Sequence, residues 1–189
     1  TVTLFVDGVT TGITTTADET TGAYTITPAE LSDGDYSLTV TARDSAGNIS
    51  TASSALNLTV DTTAPAAPVI TTTTALTNDN SPTIEGTAEA GSTVELFNGN
   101  TSLGTTTADN DGNFSIVSSE LADGNYSLTV TATDQAGNTS SPSAGLSITI
   151  DTIYPAQPLI STTTALTNDN TPTIEGLSLI HISEPTRLR

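Results

Sequence analysis

The sequence predicts an all-β protein made of tandem two-sheet sandwiches, and three observations carry that prediction. Ala75-Leu-Thr-Asn-Asp-Asn-Ser-Pro-Thr-Ile-Glu-Gly86 returns as Ala165-Leu-Thr-Asn-Asp-Asn-Thr-Pro-Thr-Ile-Glu-Gly176, 90 residues later and one Ser/Thr exchange apart. Such near-identity at a fixed offset marks a tandem module. Apolar residues alternate with Ser and Thr over short stretches, which is the period of a half-buried strand. Turn signals rich in Gly, Asn and Asp separate these stretches, and no stretch has a helical period.

The copy reaches well beyond the first segment. Leu31-Ser-Asp-Gly-Asp-Tyr-Ser-Leu-Thr-Val-Thr-Ala42 matches Leu121-Ala-Asp-Gly-Asn-Tyr-Ser-Leu-Thr-Val-Thr-Ala132, and Asp44-Ser-Ala-Gly-Asn48 matches Asp134-Gln-Ala-Gly-Asn138, both 90 apart. Val2-Thr-Leu-Phe5 matches Val94-Glu-Leu-Phe97 at 92. The first copy therefore carries two extra residues, which the sequence places most simply in the loop 18–22.

The strands follow in order. Thr83-Ile-Glu85 is a short one. Thr93-Val-Glu-Leu-Phe97 turns Val94 and Leu96 inward. Phe114-Ser-Ile116 and Tyr126-Ser-Leu-Thr-Val-Thr-Ala132 alternate strictly, the second with Tyr126, Leu128, Val130 and Ala132 on one face. Leu146-Ser-Ile-Thr-Ile150 and its counterpart Leu56-Asn-Leu-Thr-Val60 do the same. Pro65-Ala-Ala-Pro68 and Pro155-Ala-Gln-Pro158 read as stiff linkers leading into an edge strand, because Pro presets φ and cannot donate to a ladder. About seven short strands per repeat predict tandem Ig-like Greek-key β-sandwiches in an extended end-to-end array. Leu121-x-Asp-Gly-x-Tyr126 fits a tyrosine corner, in which the hydroxyl bonds upstream backbone.

The repeat sets the expected domains: 1–61 a truncated repeat without its first two strands, 64–151 a complete one, 153–176 the N-terminal fragment of a third. The chain is expected to be a window cut from a longer array, and residues 1–61 are expected to be less stable than 64–151. Leu177-Ser-Leu-Ile-His-Ile-Ser-Glu-Pro-Thr-Arg187 breaks the repeat. It resembles the translated read-through of a transposase-type sequencing-library adapter, so residues 177–189 are expected to be a non-native tail; a divergent strand is the alternative.

Composition narrows the function. Residues 1–176 hold 20 of the 21 acids and one base, Arg43, a net charge of −19. Phosphate neutralisation needs Lys and Arg, so nucleic acid and anionic membrane surfaces are excluded as partners. There is no cysteine, hence no disulfide framework. No apolar run has the length of a membrane span. Without cysteine, lysine or a histidine outside the tail, a Ser or Thr nucleophile has no base. A carboxylate pair in an aromatic-lined cleft is not suggested either, so the chain is not expected to be an enzyme.

The succession Asp61-Thr-Thr-Ala-Pro-Ala-Ala-Pro68, Leu76-Thr-Asn-Asp-Asn-Ser-Pro-Thr-Ile-Glu-Gly86, Gly91-Ser-Thr-Val94, Leu121-Ala-Asp-Gly-Asn-Tyr126, Asp134-Gln-Ala-Gly-Asn138 resembles the bacterial Ig-like repeats of giant surface adhesins of the type I secreted, RTX-adhesin type. The resemblance covers residues 1–176. It implies a stalk role on the cell surface and, in several relatives, calcium at the joints between domains.

The acids can be placed on that frame. Strands alternate direction, so loops alternate between two poles. The Glu89, 109–113 and 134–138 loops fall at the N-terminal pole of the complete repeat; the Asp79 and Asp123 loops and the exit residue Asp151 fall at the other. The first joint should then collect Asp33 and Asp61 from one side and Glu89 and Asp134 from the other. Ca2+ takes about 6–8 oxygen ligands, and Asp61, Glu89, Asp134, Asp33, Asp79, Asp123 and Asp151 are the candidates. Turn formation alone is the competing explanation, strongest for the Asp-Gly turns at Asp33 and Asp123. Asp109-Asn-Asp-Gly-Asn113 has the opening of an EF-hand loop without its distal Glu, and reads as a tight turn.

The expected function is a structural stalk or spacer of a bacterial surface adhesin, extracellular or secreted, involved in attachment or biofilm. Its partners would be the neighbouring repeats of the same chain and, through other parts of the full protein, a host or surface glycan or protein. The alternative is an Ig-like module that binds glycan or protein directly. The one loop that differs between copies, 18–22 against 109–113, is where that binding would be sought.

Overall fold

The structure is a computed structural model that describes residues 1–163 and 166–178. Ala165 of the recurring segment and, from residue 179 on, the expected non-native tail lie outside the described residues. Every regular element among the described residues is a β-strand.

Eight strands form the central unit: β5 (Val69–Ile70), β6 (Leu76–Thr77), β7 (Thr83–Thr87), β8 (Thr93–Asn98), β9 (Thr101–Thr107), β10 (Asn113–Val117), β11 (Gly124–Thr133) and β12 (Leu146–Ile150). They make a three-stranded sheet, β10-β7-β5, and a five-stranded sheet, β6-β12-β11-β8-β9. The chain crosses between sheets after β5, β6, β7, β9 and β10, which is the Greek-key wiring of an Ig-like sandwich. All pairings are antiparallel except β6 on β12, where Thr149 lies beside Leu76 and Ile150 beside Thr77. β5 is an edge strand, as the proline-rich approach requires.

Alternation decides which side chains meet between the sheets. Along β11, Leu128, Val130 and Ala132 are fully buried while Ser127 is exposed. Ile84 from β7, Val94 and Leu96 from β8, Phe114 and Ile116 from β10 and Ile148 and Ile150 from β12 close the core. Burying a side chain of this size contributes about 1.5–3 kcal/mol. Gly86 is required by close approach: a Cβ there would stand 2.2 Å from the Val69 carbonyl oxygen and 2.5 Å from Phe114 Cζ. Ahead of the start of β12, Ser143 and Ser140 bond the last part of β11. Their hydroxyls accept from the Val130 and Ala132 amides at 3.1 and 3.0 Å.

Residues 1–62 form a single four-stranded sheet from β1 (Val2–Val6), β2 (Val9–Thr15), β3 (Gly34–Ala42) and β4 (Leu56–Val60), in the order β2-β1-β3-β4. Its pairings of β1 with β3 and of β3 with β4 repeat the register of β8 with β11 and of β11 with β12, and β2 stands in the place of β9. Residues 23–27 correspond to β10 but make no strand pairing. Past the central unit, β13 (Leu159–Ile160) pairs with β14 (Gly176–Leu177), in the register of β5 on β7.

The structure corrects the placement of the two extra residues. From the Phe5–Thr10 pair to the Thr3–Thr14 pair, β1 advances two residues and β2 advances four; over the matching pairs Phe97–Ser102 and Glu95–Thr105, β9 advances three. One extra residue therefore sits in a β2 bulge at Gly12, whose φ is 72°, and where Thr11 Oγ1 donates to the Leu4 carbonyl at 2.9 Å. The other lies in the loop 18–22. There the Asp18 amide donates to the Ala23 carbonyl, where the Asp109 amide reaches Asn113, one residue nearer.

Candidate functional site

The chain leaves the first sheet at Val60, and Asp61 is the last residue before the linker. Three turns converge there: the exit at Asp61, the β7–β8 turn at Glu89, and the turn after β11 that begins at Asp134. They line one cleft of about 450 Å³ with Thr59 and Gln135.

Each acid at the joint is held by its own local geometry. The Asp134 carboxylate accepts from the Gly137 and Asn138 amides, both at 2.8 Å, and from Asn138 Nδ2 at 2.8 Å. Asn138 foremost, through its side chain, holds this carboxyl below the ordinary carboxylate value. The second hydrogen of the same amide donates across the joint to the Asp61 carbonyl oxygen at 3.0 Å. The equivalent turn in the first unit repeats the clamp, Asn48 Nδ2 to Asp44 Oδ2 at 2.7 Å and Asn48 amide to Asp44 Oδ1 at 2.8 Å. That clamp lowers Asp44 likewise.

Asp33 fixes the linker. Its carboxylate accepts from Thr63 Oγ1 at 2.6 Å, Thr62 Oγ1 at 2.7 Å and the Thr62 amide at 3.0 Å, and these bonds, Thr63 first, pull it below its ordinary value. Asp61 Oδ1 accepts from the Thr63 amide at 3.0 Å. At the far pole Asp123 takes the Thr152 amide and hydroxyl at 2.9 and 2.8 Å, the same lock one repeat later. Asp151 and Asp79 cap their own turns through the Ile153 and Ser81 amides.

Of the seven acids singled out from sequence, the fold thus brings Asp61, Glu89 and Asp134 to one cleft and turns Asp33 away into the linker. Asp79, Asp123 and Asp151 gather at the opposite pole. The donors are all oxygens, right in kind for Ca2+. Among the described residues, however, no group of three acidic or other ligating side chains is close enough to hold an ion. The loop 109–113 is the expected tight turn, with Asp109 Oδ1 accepting from the Asp111 and Asn113 amides at 2.9 and 2.8 Å. Both tyrosine corners form: Tyr126 Oη donates to the Ala122 carbonyl at 2.9 Å and Tyr36 Oη to Ser32 at 2.8 Å. Sequence reasoning missed Asn138 as a joint residue. The recurring Asp-x-Ala-Gly-Asn turn places it at the pole that meets the preceding unit, but nothing in the motif marks the contact itself.

A family model described as bacterial Ig-like domain matches residues 1–62 and 70–152. No curated protein matches in sequence. Among solved structures, fibronectin(III)-like modules of CbhA from Clostridium thermocellum are 18% identical with a TM-score of 0.50, covering 79% of this chain and 76% of that one. That likeness is one of fold. A biofilm associated protein BSP domain is 27% identical with a TM-score of 0.37, over 81% of this chain and 25% of the other. SGBP-B of the Bacteroides ovatus mixed-linkage glucan utilization locus, solved in complex with a mixed-linkage heptasaccharide, is 16% identical at a TM-score of 0.30, over 84% of this chain and 39% of that one.

Proposed function

The chain belongs to the bacterial Ig-like domain family, and on that premise we propose that it is a structural spacer, a run of repeats that sets a distance on or outside a bacterial cell. The observation that carries this reading is the joint itself. Asn138 ties the central unit to the Asp61 carbonyl, and Asp33 ties the linker to the first unit through Thr62 and Thr63. The linker lock returns at Asp123 and Thr152, so one repeat supplies both halves of a connection. A chain that repeats its connecting parts so closely is built for length. No helix among the described residues is long and apolar enough to cross a membrane.

A glycan array probed with the intact chain tests the reading against direct binding. The spacer gives no dose-dependent signal; saturable binding that maps to the loop 18–22 would replace it with the recognition module.

Calcium belongs to the same proposal. Asp61, Glu89 and Asp134 share the cleft, and an ion there would draw them together and relieve the repulsion of a strongly acidic chain. Added Ca2+ should raise the melting midpoint of the chain, and Glu89→Gln should remove the increase. A midpoint indifferent to Ca2+ and to chelator ends this part of the proposal and leaves the spacer standing.

A further inference from the structure

The two linkers leave their units along the same path. Asp61-Thr-Thr-Ala-Pro65 follows β4, and Asp151-Thr-Ile-Tyr-Pro155 follows β12. In each, the exit aspartate accepts from the amide two residues ahead, Asp61 from Thr63 at 3.0 Å and Asp151 from Ile153 at 3.1 Å. In each, the aspartate before the tyrosine corner holds the next threonine by amide and hydroxyl through one oxygen. Asp33 Oδ1 takes Thr62 at 3.0 and 2.7 Å, and Asp123 Oδ1 takes Thr152 at 2.9 and 2.8 Å. The backbone of the two exits is thus fixed alike.

They part at a single side chain. Thr63 Oγ1 donates to Asp33 Oδ2 at 2.6 Å, so both oxygens of that carboxylate grip the linker. The counterpart of Thr63 is Ile153, which has no hydroxyl to give. Asp123 Oδ2 accepts from none of the described residues. Ile153 is 76% exposed, so little apolar burial replaces the missing bond. Threonine and isoleucine are both branched at Cβ and similarly stiff at χ1, which leaves the hydroxyl as the difference that matters. A bond to an ionised acceptor is among the stronger of its kind. A carboxylate held through one oxygen also keeps its broad terminal torsion, whereas one held through two does not.

We propose that position 63, with its counterpart 153, sets the stiffness of each connection: threonine clamps the linker to both oxygens of the preceding unit's aspartate, and isoleucine leaves it hinged on one. The inference rests on the spacer reading, which it refines from a fixed distance to a rod whose joints differ in compliance. The first joint is the stiff one. Asp33 grips its linker from one side, and Asn138 Nδ2 grips the same linker from the other at the Asp61 carbonyl. The exit of the central unit is the compliant one, although its sequence differs from the first by only two residues over Asp61–Pro65.

Hydrogen exchange followed by NMR on the full chain tests this at the two amides that the aspartates hold, Thr62 and Thr152. Ile153→Thr should raise the protection of the Thr152 amide roughly three- to tenfold, the net worth of one hydrogen bond. Ile153→Val, which keeps the branching and supplies no hydroxyl, should leave it unchanged. Thr63→Val should lower the protection of the Thr62 amide by a similar factor. In that variant the Asp33 carboxyl, which Thr63 foremost holds below its ordinary value, should titrate closer to it. The chain has no cysteine of its own, so spin labels at Asn57→Cys and Ser115→Cys, both exposed, report the spread of distances across the first joint. Thr63→Val should widen that spread. Positions 63 and 153 are exposed, so the melting of the central unit should not move. An Ile153→Thr chain that exchanges like Ile153→Val, a Thr62 amide indifferent to Thr63→Val, or a label spread that stays as narrow as wild type would each overturn the proposal. None of these outcomes touches the spacer reading, which the glycan array decides separately.

Discussion

The two units spell nearly the same strands and bury them differently. Leu128 in β11 is fully buried, while Leu38 at the same place in β3 is half-buried; Leu146 is half-buried where Leu56 is 62% exposed. Phe114 is 4% exposed in β10 and Tyr24, its counterpart, 45%. Side-chain chemistry is nearly constant across these pairs, so the difference belongs to the second sheet. It teaches that alternation makes a strand, but only the opposing β5 and β7 make a core. The residues 23–27 show the same lesson at the backbone: without a β7 beside them they do not even register as a strand.

The comparison can be broken most forcefully in the core. Leu128→Ala should cost about 2–5 kcal/mol, the range for a buried leucine, and Leu38→Ala roughly less than half of that. Hydrogen exchange read by mass spectrometry follows each unit separately, and equal costs would mean that the first sheet has found a cover. The wild-type first unit should also exchange faster than the central one.

A smaller effect comes from the tyrosine corners, whose bonds to Ala122 and Ser32 have nearly equal lengths in the two units. Tyr126→Phe and Tyr36→Phe should each lower stability by about 0.5–1.5 kcal/mol. Because the corner is local, the two losses should be alike, in contrast to the leucine pair.

The smallest effect concerns the capped turns, and it depends on pH. Asp134 and Asp44 have folded-state carboxyls lowered by the Asn138 and Asn48 side chains. Their contribution is therefore complete above the ordinary carboxylate range and is lost as the pH falls through the lowered values. Asp134→Ala should reduce the melting midpoint at pH 7, and the gap to wild type should narrow as the pH is taken toward 2. A gap constant over that range would mean that the ionised carboxylate is not what holds the turn.

Much of the architecture was legible because polar and apolar residues alternate without exceptions in 56–60, 126–132 and 146–150, and β4 and β12 have those very limits. The poles of the acids were legible too, since strand direction alone fixes them. The bulge at Gly12 was not. Thr14-Thr-Thr-Ala-Asp18 does match Thr105-Thr-Thr-Ala-Asp109 at an offset of 91, which puts one extra residue before Thr14, but nothing in that match marks a bulge. Strand β9 hid because Thr101-Ser-Leu-Gly-Thr-Thr-Thr107 has a single large apolar residue to mark its inner face. Asn138 read as a turn residue, which it is. That the free hydrogen of its amide reaches another unit depends on how the units meet, and no local pattern records that. Ser140 and Ser143 read as loop and turn out to finish a strand.

The parallel pairing of β6 with β12 has a mechanical meaning. β6 lies near the entry of the central unit and β12 at its exit, so tension drawn through the chain pulls these neighbours in opposite directions along their length. The bonds from the Thr149 amide to Ala75 and from the Asp151 amide to Thr77, 2.8 and 3.0 Å long, are then loaded in shear and share the force, instead of opening one after another like a zip.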